Sequence, residues 1–180
     1  MSNLTRKMET CANIAIILAG LAAACLFIQK FAAGRAGSAN RGRASEVSVG
    51  AKIPLAGVDW GKNGNTLLLA LSTGCHFCSE STPFYQRIAR EVSKKNDVRV
   101  ISLFPKGEAG GREYLSKLGV PIPDVRQASF EDIGVAGTPA LVLVNSSGVA
   151  AGVWIGQLPA DKEAEVIDAI GTPSTSQQGR

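Results

Sequence analysis

The feature that most restricts this chain is a junction. The run Thr66-Leu67-Leu68-Leu69-Ala70-Leu71 passes through Ser72-Thr73-Gly74 straight into Cys75-His76-Phe77-Cys78. An apolar run without alternation reads as a strand covered on both faces, since each side of the pleat then needs an apolar layer against it. From the second cysteine to Asn96 the period changes. Phe84, Ile88, Ala89 and Val92 share one side of a helix, and Arg87, Arg90, Lys94 and Lys95 point away from it. A buried strand that turns at once into an amphipathic helix restricts the chain to α/β architectures.

The remaining segments extend that opening. Upstream, Val58-Asp59-Trp60 reads as a short strand and Gly61–Asn65 as a turn. Downstream, Val98–Phe104 is a second buried strand, so the first helix becomes a crossover between parallel strands. Glu108–Leu118 is a helix ended by Gly119, with Pro121 just beyond, and Ser129–Ile133 one helical turn. Ala140–Val144, the turn Asn145-Ser146-Ser147-Gly148 and Val149–Ile155 form a hairpin. Asp161–Ile170 closes the chain as a helix with acidic residues in its first turn. The order predicts one α/β domain over residues 46–170. Its central mixed sheet is parallel through the crossover and antiparallel at the hairpin, with helices on both faces.

The cysteine pair carries the chemistry. Two intervening residues make one helical turn, which brings the sulfurs close enough to bridge without large strain. Cys75 then sits at the helix N-terminus, where free N–H groups and the positive end of the dipole favour its thiolate. The thiolate is the nucleophile of disulfide exchange, so Cys75 is the attacking sulfur and Cys78 the resolving one. His76 modulates the pair if it is protonated or donates a hydrogen bond. Phe77 offers either an exposed apolar contact to a partner or local packing.

Three motifs in order give a family resemblance. They are the strand leading into Cys75-His76-Phe77-Cys78, Pro83 five residues after the second cysteine, and Gly137-Thr138-Pro139 before the hairpin and last helix. The pattern resembles the thioredoxin superfamily over nearly all of residues 46–170, and within it the membrane-anchored periplasmic thiol–disulfide oxidoreductases. The resemblance implies a thioredoxin-like fold, a kink at Pro83, a cis Pro139 beside the sulfurs and a substrate-binding role for Thr138 and Pro139. It also implies protein thiols and disulfides as partners, a membrane electron donor or acceptor, and no cofactor. Two positions depart from the family pattern. Gly74 stands where a Trp commonly precedes the first cysteine, and Thr66–Leu71 lacks the buried acid found in thioredoxin. That leaves Glu80, Glu131 or Asp132 to handle the Cys78 proton.

Outside the domain, Thr10–Gln29 carries no charge and follows Arg6 and Lys7. Twenty helical residues span roughly 30 Å, a bilayer core. Residues 1–33 therefore read as a signal-anchor, in preference to a cleaved signal or a lipoprotein signal ending at Cys25. Cys11 and Cys25 are small apolar residues of that stretch. Lys30, Arg35, Arg41 and Arg43 follow it, against Arg6 and Lys7 before it, and alone they would hold the domain inside. A short charged N-terminal tail is hard to translocate, however, so the expected arrangement is a single-pass protein of the cell membrane with its domain on the periplasmic side. Residues 34–45 read as a flexible linker and 171–180 as a disordered tail.

The net charge of +4 resides largely in that flank, and no basic helix interleaved with aromatics follows, which argues against nucleic acid as a partner. Isomerases of the superfamily usually add a dimerisation domain; none fits here, so the chain is expected to be a monomer. The function expected is exchange on extracytoplasmic proteins, in the reducing direction. A periplasmic disulfide oxidase or isomerase is the alternative. Two others remain: a peroxiredoxin-like peroxidase, with Ser72 three residues before Cys75, and a redox-inert binding module with a structural disulfide. Metal binding is disfavoured, because Cys75, Cys78 and the single histidine give at most three ligands where structural zinc takes four.

Overall fold

The structure is a computed structural model and describes residues 46–172. The expected anchor and linker, with residues 173–180 of the tail, lie outside the described residues. Among the described residues no helix is long and apolar enough to cross a membrane.

Five strands form one sheet: β1 (Asn65–Ala70), β2 (Val98–Phe104), β3 (Val125–Gln127), β4 (Ala140–Val144) and β5 (Ala150–Ile155). Their spatial order is β3-β2-β1-β4-β5, with β1–β2 and β2–β3 parallel and β1–β4 and β4–β5 antiparallel. The mixed sheet follows the expected order, and β1 lies at its centre, which explains why all six of its residues are buried. The short edge strand β3 has no counterpart in the sequence reading. Three residues after a Pro-rich stretch carry too little pattern to be recognised, and the strand exists because it pairs with Ser102–Phe104.

Four helices accompany the sheet: α1 (His76–Glu80), α2 (Thr82–Ser93), α3 (Glu108–Lys117) and α4 (Ala160–Gly171). The single helix expected from Cys78 to Asn96 is two, parted at Ser81 and ending at Ser93. Pro83 has no N–H to give the Ser79 carbonyl, and the Thr82 hydroxyl bonds that oxygen instead at 2.6 Å. The expected strand at Val58–Trp60 is absent. The Asp59 carboxylate accepts from the Gly61 N–H at 3.0 Å and caps a 3-10 turn over Trp60–Asn63. Helix α3 ends as expected, with Gly119 at φ 63° and its N–H on the Ser116 carbonyl. Its two consecutive glycines look costly for a helix. A Cβ on Gly111 would lie 2.4 Å from the Phe104 ring, so the glycine lets helix and strand approach.

The expectation of helices on both faces is not met among the described residues. The core on one side of the sheet joins Leu67, Leu69, Leu71, Val100 and Phe104 to residues of all four helices. On the other side, Leu68, Ala70, Ile101, Leu103, Ala140 and Val142 meet Val47, Ile53, Leu55 and Val58 of the lead-in, with Phe130, Ile133 and Val135. The reason is topological. Both parallel crossovers step the same way across the sheet, and right-handed crossovers taken in one direction put their helices on one face. Irregular chain fills the other, tied down by Val47 N–H to the Gly134 carbonyl (2.7 Å) and Ile53 N–H to the Gly148 carbonyl (2.9 Å).

Candidate active site

The cysteine pair sits where β1 hands over to α1. Cys75 is the N-cap residue of α1, in extended conformation, and its Sγ accepts the Cys78 N–H at 3.2 Å. A sulfur thus occupies the place usually taken by a capping oxygen, and the unpaired donors of the helix start converge on it. On its other side the Cys75 thiol donates to the Thr138 carbonyl at 3.3 Å. The Thr138–Pro139 peptide is cis, as the resemblance implied, and Pro139 is buried at the start of β4. Residues 63 apart in sequence therefore meet at one sulfur, because β1 and β4 are neighbours in the sheet.

The two sulfurs differ in surroundings. Cys75 is half-buried, whereas Cys78 is fully enclosed in the helix-side core; both are free thiols. For Cys75, burial opposes ionisation, but hydrogen bonds from the Cys78 and Thr138 side chains and from the Cys78 and Phe77 backbone outweigh it and leave the pKa below its ordinary 9.0. For Cys78, burial is the main cause, and the neighbouring Cys75 adds to it, pushing the pKa up to about 12.

Of the modulating residues, His76 is exposed and turned along the helix toward Glu80, Nε2 to Oε1 3.0 Å, with no bond to either sulfur. Phe77 is 53% exposed beside the pair, which fits the partner-contact alternative better than local packing. Glu80, Glu131 and Asp132 are all exposed, so none of the three acids lies in the core beside Cys78.

Hydroxyl groups stand near the pair instead. The Tyr114 hydroxyl meets Ser79 Oγ at 3.0 Å, Ser81 Oγ donates to the Phe77 carbonyl at 2.8 Å, and Tyr85 is completely buried. Sequence reasoning passed over Tyr85. Its signal was position: Tyr85 lies three and four residues before Ile88 and Ala89, on the apolar side of α2.

The pair opens onto shallow surface. A cleft of about 70 Å³ lined by Ser72, Thr73 and Gly107 lies alongside it, while the larger grooves, of about 470 and 370 Å³, flank Pro121–Pro123. Among the described residues no three His, Cys, Asp or Glu side chains gather as metal ligands.

No family model and no curated protein sequence matches this chain. Solved structures do. The thioredoxin domain of a thiol-disulfide oxidoreductase from Bacteroides vulgatus aligns with a TM-score of 0.53 at 16% identity, over 70% of this chain and 99% of that one. A candidate thiol:disulfide interchange protein DsbE from Chlorobium tepidum gives 0.53 at 21% identity, over 69% and 99%. A thiol-disulfide isomerase from Corynebacterium glutamicum gives 0.51 at 16% identity, over 69% and 93%. The chain has the thioredoxin-like fold, with its mixed central sheet.

Proposed function

We propose that this chain is a thiol–disulfide oxidoreductase acting on protein disulfides outside the cytoplasm, anchored through residues 1–33. The observation that carries the reading is the asymmetry of the pair. An accessible sulfur with a depressed pKa lies three residues from a buried one that holds its proton. In the reducing direction the Cys75 thiolate attacks a partner disulfide. A Cys75–partner bond forms, and the displaced partner sulfur leaves as a thiolate and takes up a proton. Cys78 then attacks Cys75 Sγ, the Cys75–Cys78 bond forms, and the second partner sulfur leaves. Two electrons have passed to the partner, and a dithiol donor must return them.

Thr138 and Pro139 supply the docking edge beside Cys75, and Phe77 an apolar contact. The cleft beside the pair, of about 70 Å³, suits a protein segment laid across the surface better than an enclosed small molecule. The second reading, an oxidase or isomerase, draws on the depressed Cys75 pKa, since stabilising the thiolate favours the reduced form.

The test is the reduction potential of the pair together with turnover, using the full chain in detergent. A potential near about −270 mV with turnover supports the reductase, and one near about −120 to −180 mV the oxidase or isomerase. A very low potential without exchange would overturn the enzyme reading.

A further inference from the structure

An open five-stranded sheet has two edges, and each leaves backbone N–H and C=O groups free to pair with another chain. The two edges of this sheet differ. Strand β3 is three residues long and follows Pro121 and Pro123. It also carries Arg126, whose guanidinium bonds the Asp124 carboxylate and the Gly57 carbonyl, each at 2.9 Å. Shortness, proline and charge are the usual guards of an exposed edge. Strand β5 has none of them: from Val149 to Leu158 there is neither a charge nor a proline.

Only the start of the β5 edge is covered. Gly50 N–H donates to the Ala150 carbonyl and Ala150 N–H to the Ala51 carbonyl, both at 2.8 Å, so the lead-in runs beside the first residue of the strand. Further along, the ladder decides. Gly156 N–H donates to the Pro139 carbonyl at 2.7 Å, and antiparallel bonds fall on alternate residues. Gly152 and Trp154 therefore turn their N–H and C=O toward Leu143 and Leu141, while Val153 and Ile155 turn theirs outward. Among the described residues no turn or loop hydrogen bond reaches either of those two. Their side chains lie on the lead-in face: Val153 packs against that core, and Ile155, two residues on, is 39% exposed. Val49, 66% exposed, stands where the lead-in leaves the edge.

We propose that the outer edge of β5 is a self-association surface whose occupant is a second copy of this chain, paired antiparallel about a two-fold axis at Trp154. The strand fits itself. In that register Val153 of each copy lies opposite Ile155 of the other. Two outward N–H and two outward C=O groups from each copy make four hydrogen bonds. The two Val153–Ile155 pairs cover one another on the lead-in face, uncharged against uncharged. On the helix face Glu165, beside Trp154, is already held by Trp154 Nε1 at 3.0 Å and Lys162 Nζ at 2.6 Å. Two five-stranded sheets become one of ten, and because the axis reverses the strands the cysteine pairs lie at opposite ends. So short an edge belongs with the weak contacts, below about 1,200 Å² in total, and association depends on concentration.

The surface is separate from the thiol chemistry, and its test reads association alone. The full chain in detergent is followed by sedimentation equilibrium from low to high micromolar concentration. A monomer–dimer equilibrium is expected. Ile155→Lys should raise its dissociation constant at least about tenfold, since the axis places the charge in the interface twice. Val153→Pro removes an outward N–H without touching a bond to β4 and should act the same way. Gln127→Lys on the β3 edge should leave the constant within about twofold. A chain monomeric throughout, or a dimer indifferent to Ile155→Lys, overturns the proposal. A photo-crosslinker, p-benzoylphenylalanine, placed at Ile155 in a mixture of ¹⁵N-labelled and unlabelled chains then identifies the occupant. Crosslinks between copies that join position 155 to β5 support the pairing. Crosslinks confined to one chain, reaching residues 1–45 or 173–180, or joining copies away from β5, overturn it.

Discussion

Cys75 and Cys78 are one helical turn apart, yet they belong to different regions of the molecule. Cys75 lies at the rim, where α1 begins, β4 begins and solvent has access; its sulfur accepts the Cys78 N–H and its thiol donates to the Thr138 carbonyl, while side chains of Cys78 and Thr138 also bond the thiolate. Cys78 lies on the floor, enclosed in the core that holds Leu67, Leu69, Phe84 and Tyr85. The same burial that opposes ionisation at both sites is overcome at the rim by hydrogen bonds and dominates on the floor. In the proposed reading, role follows from depth and donor supply, with the helix start dividing attacker from resolver.

The largest expected effects come from removing one member of the pair. Cys75→Ser should reduce exchange to the uncatalysed rate in a coupled disulfide-reduction assay, and retained turnover would mean that the rim sulfur is not the nucleophile. Cys78→Ser should leave attack intact but accumulate mixed disulfides on Cys75, visible on non-reducing gels. Their absence under mild oxidation removes Cys78 from the resolving role.

A smaller effect opposes the two sulfurs in one titration. The Cys75 pKa is depressed on folding, so its contribution to stability is present above about 9 and is lost as pH falls through the folded value. The Cys78 pKa is raised from 9.0 to about 12, so its contribution is full below 9 and is lost as pH rises toward 12, where the buried tyrosine adds a loss of the same sign. The stability of the reduced protein relative to the oxidised one should peak near pH 9. Denaturant unfolding with and without dithiothreitol measures this in the unmodified chain; in the reduced protein alone, Cys75→Ser should remove the acid-side limb and Cys78→Ser most of the alkaline one. A monotonic curve would mean that the two sites are alike.

The smallest effects fall on the exposed neighbours. Phe77→Ala should raise KM for a protein partner several-fold, as truncating one exposed apolar contact does, without moving either thiol's alkylation profile. His76→Ala should change Cys75 reactivity less still, because the imidazole faces Glu80 and such exposed pairs contribute about 0–1 kcal/mol.

What the chain discloses before folding tracks how local the cause is. β2 and β4 were legible to the residue, because an apolar run and its flanking turns are local. Gly119 marked the end of α3 for the same reason. The strand placed at Val58–Trp60 failed because one Asp59 side chain captures a backbone N–H two residues on, which outweighs three residues of β-propensity. β3 was missed because its cause is a neighbour 23 residues upstream, Ser102 opposite Val125. At the site, the thiols and the Thr-Pro step were legible as motifs. The carbonyl that holds Cys75, the turn of His76 toward Glu80 and the enclosed Tyr85 hydroxyl arise only when β1, β4 and α2 are packed together.

The central claim is that the rim sulfur is the acid thiol and the floor sulfur the protonated one. Differential alkylation tests it most directly. The fully reduced full chain is treated with a limiting amount of iodoacetamide across pH 5 to 9, and modification at each cysteine is read by peptide mass spectrometry. The account predicts that Cys75 reacts first throughout, with an inflection below 9, while Cys78 stays unmodified over the whole range. Equal modification of the two, or Cys78 reacting first, would contradict it.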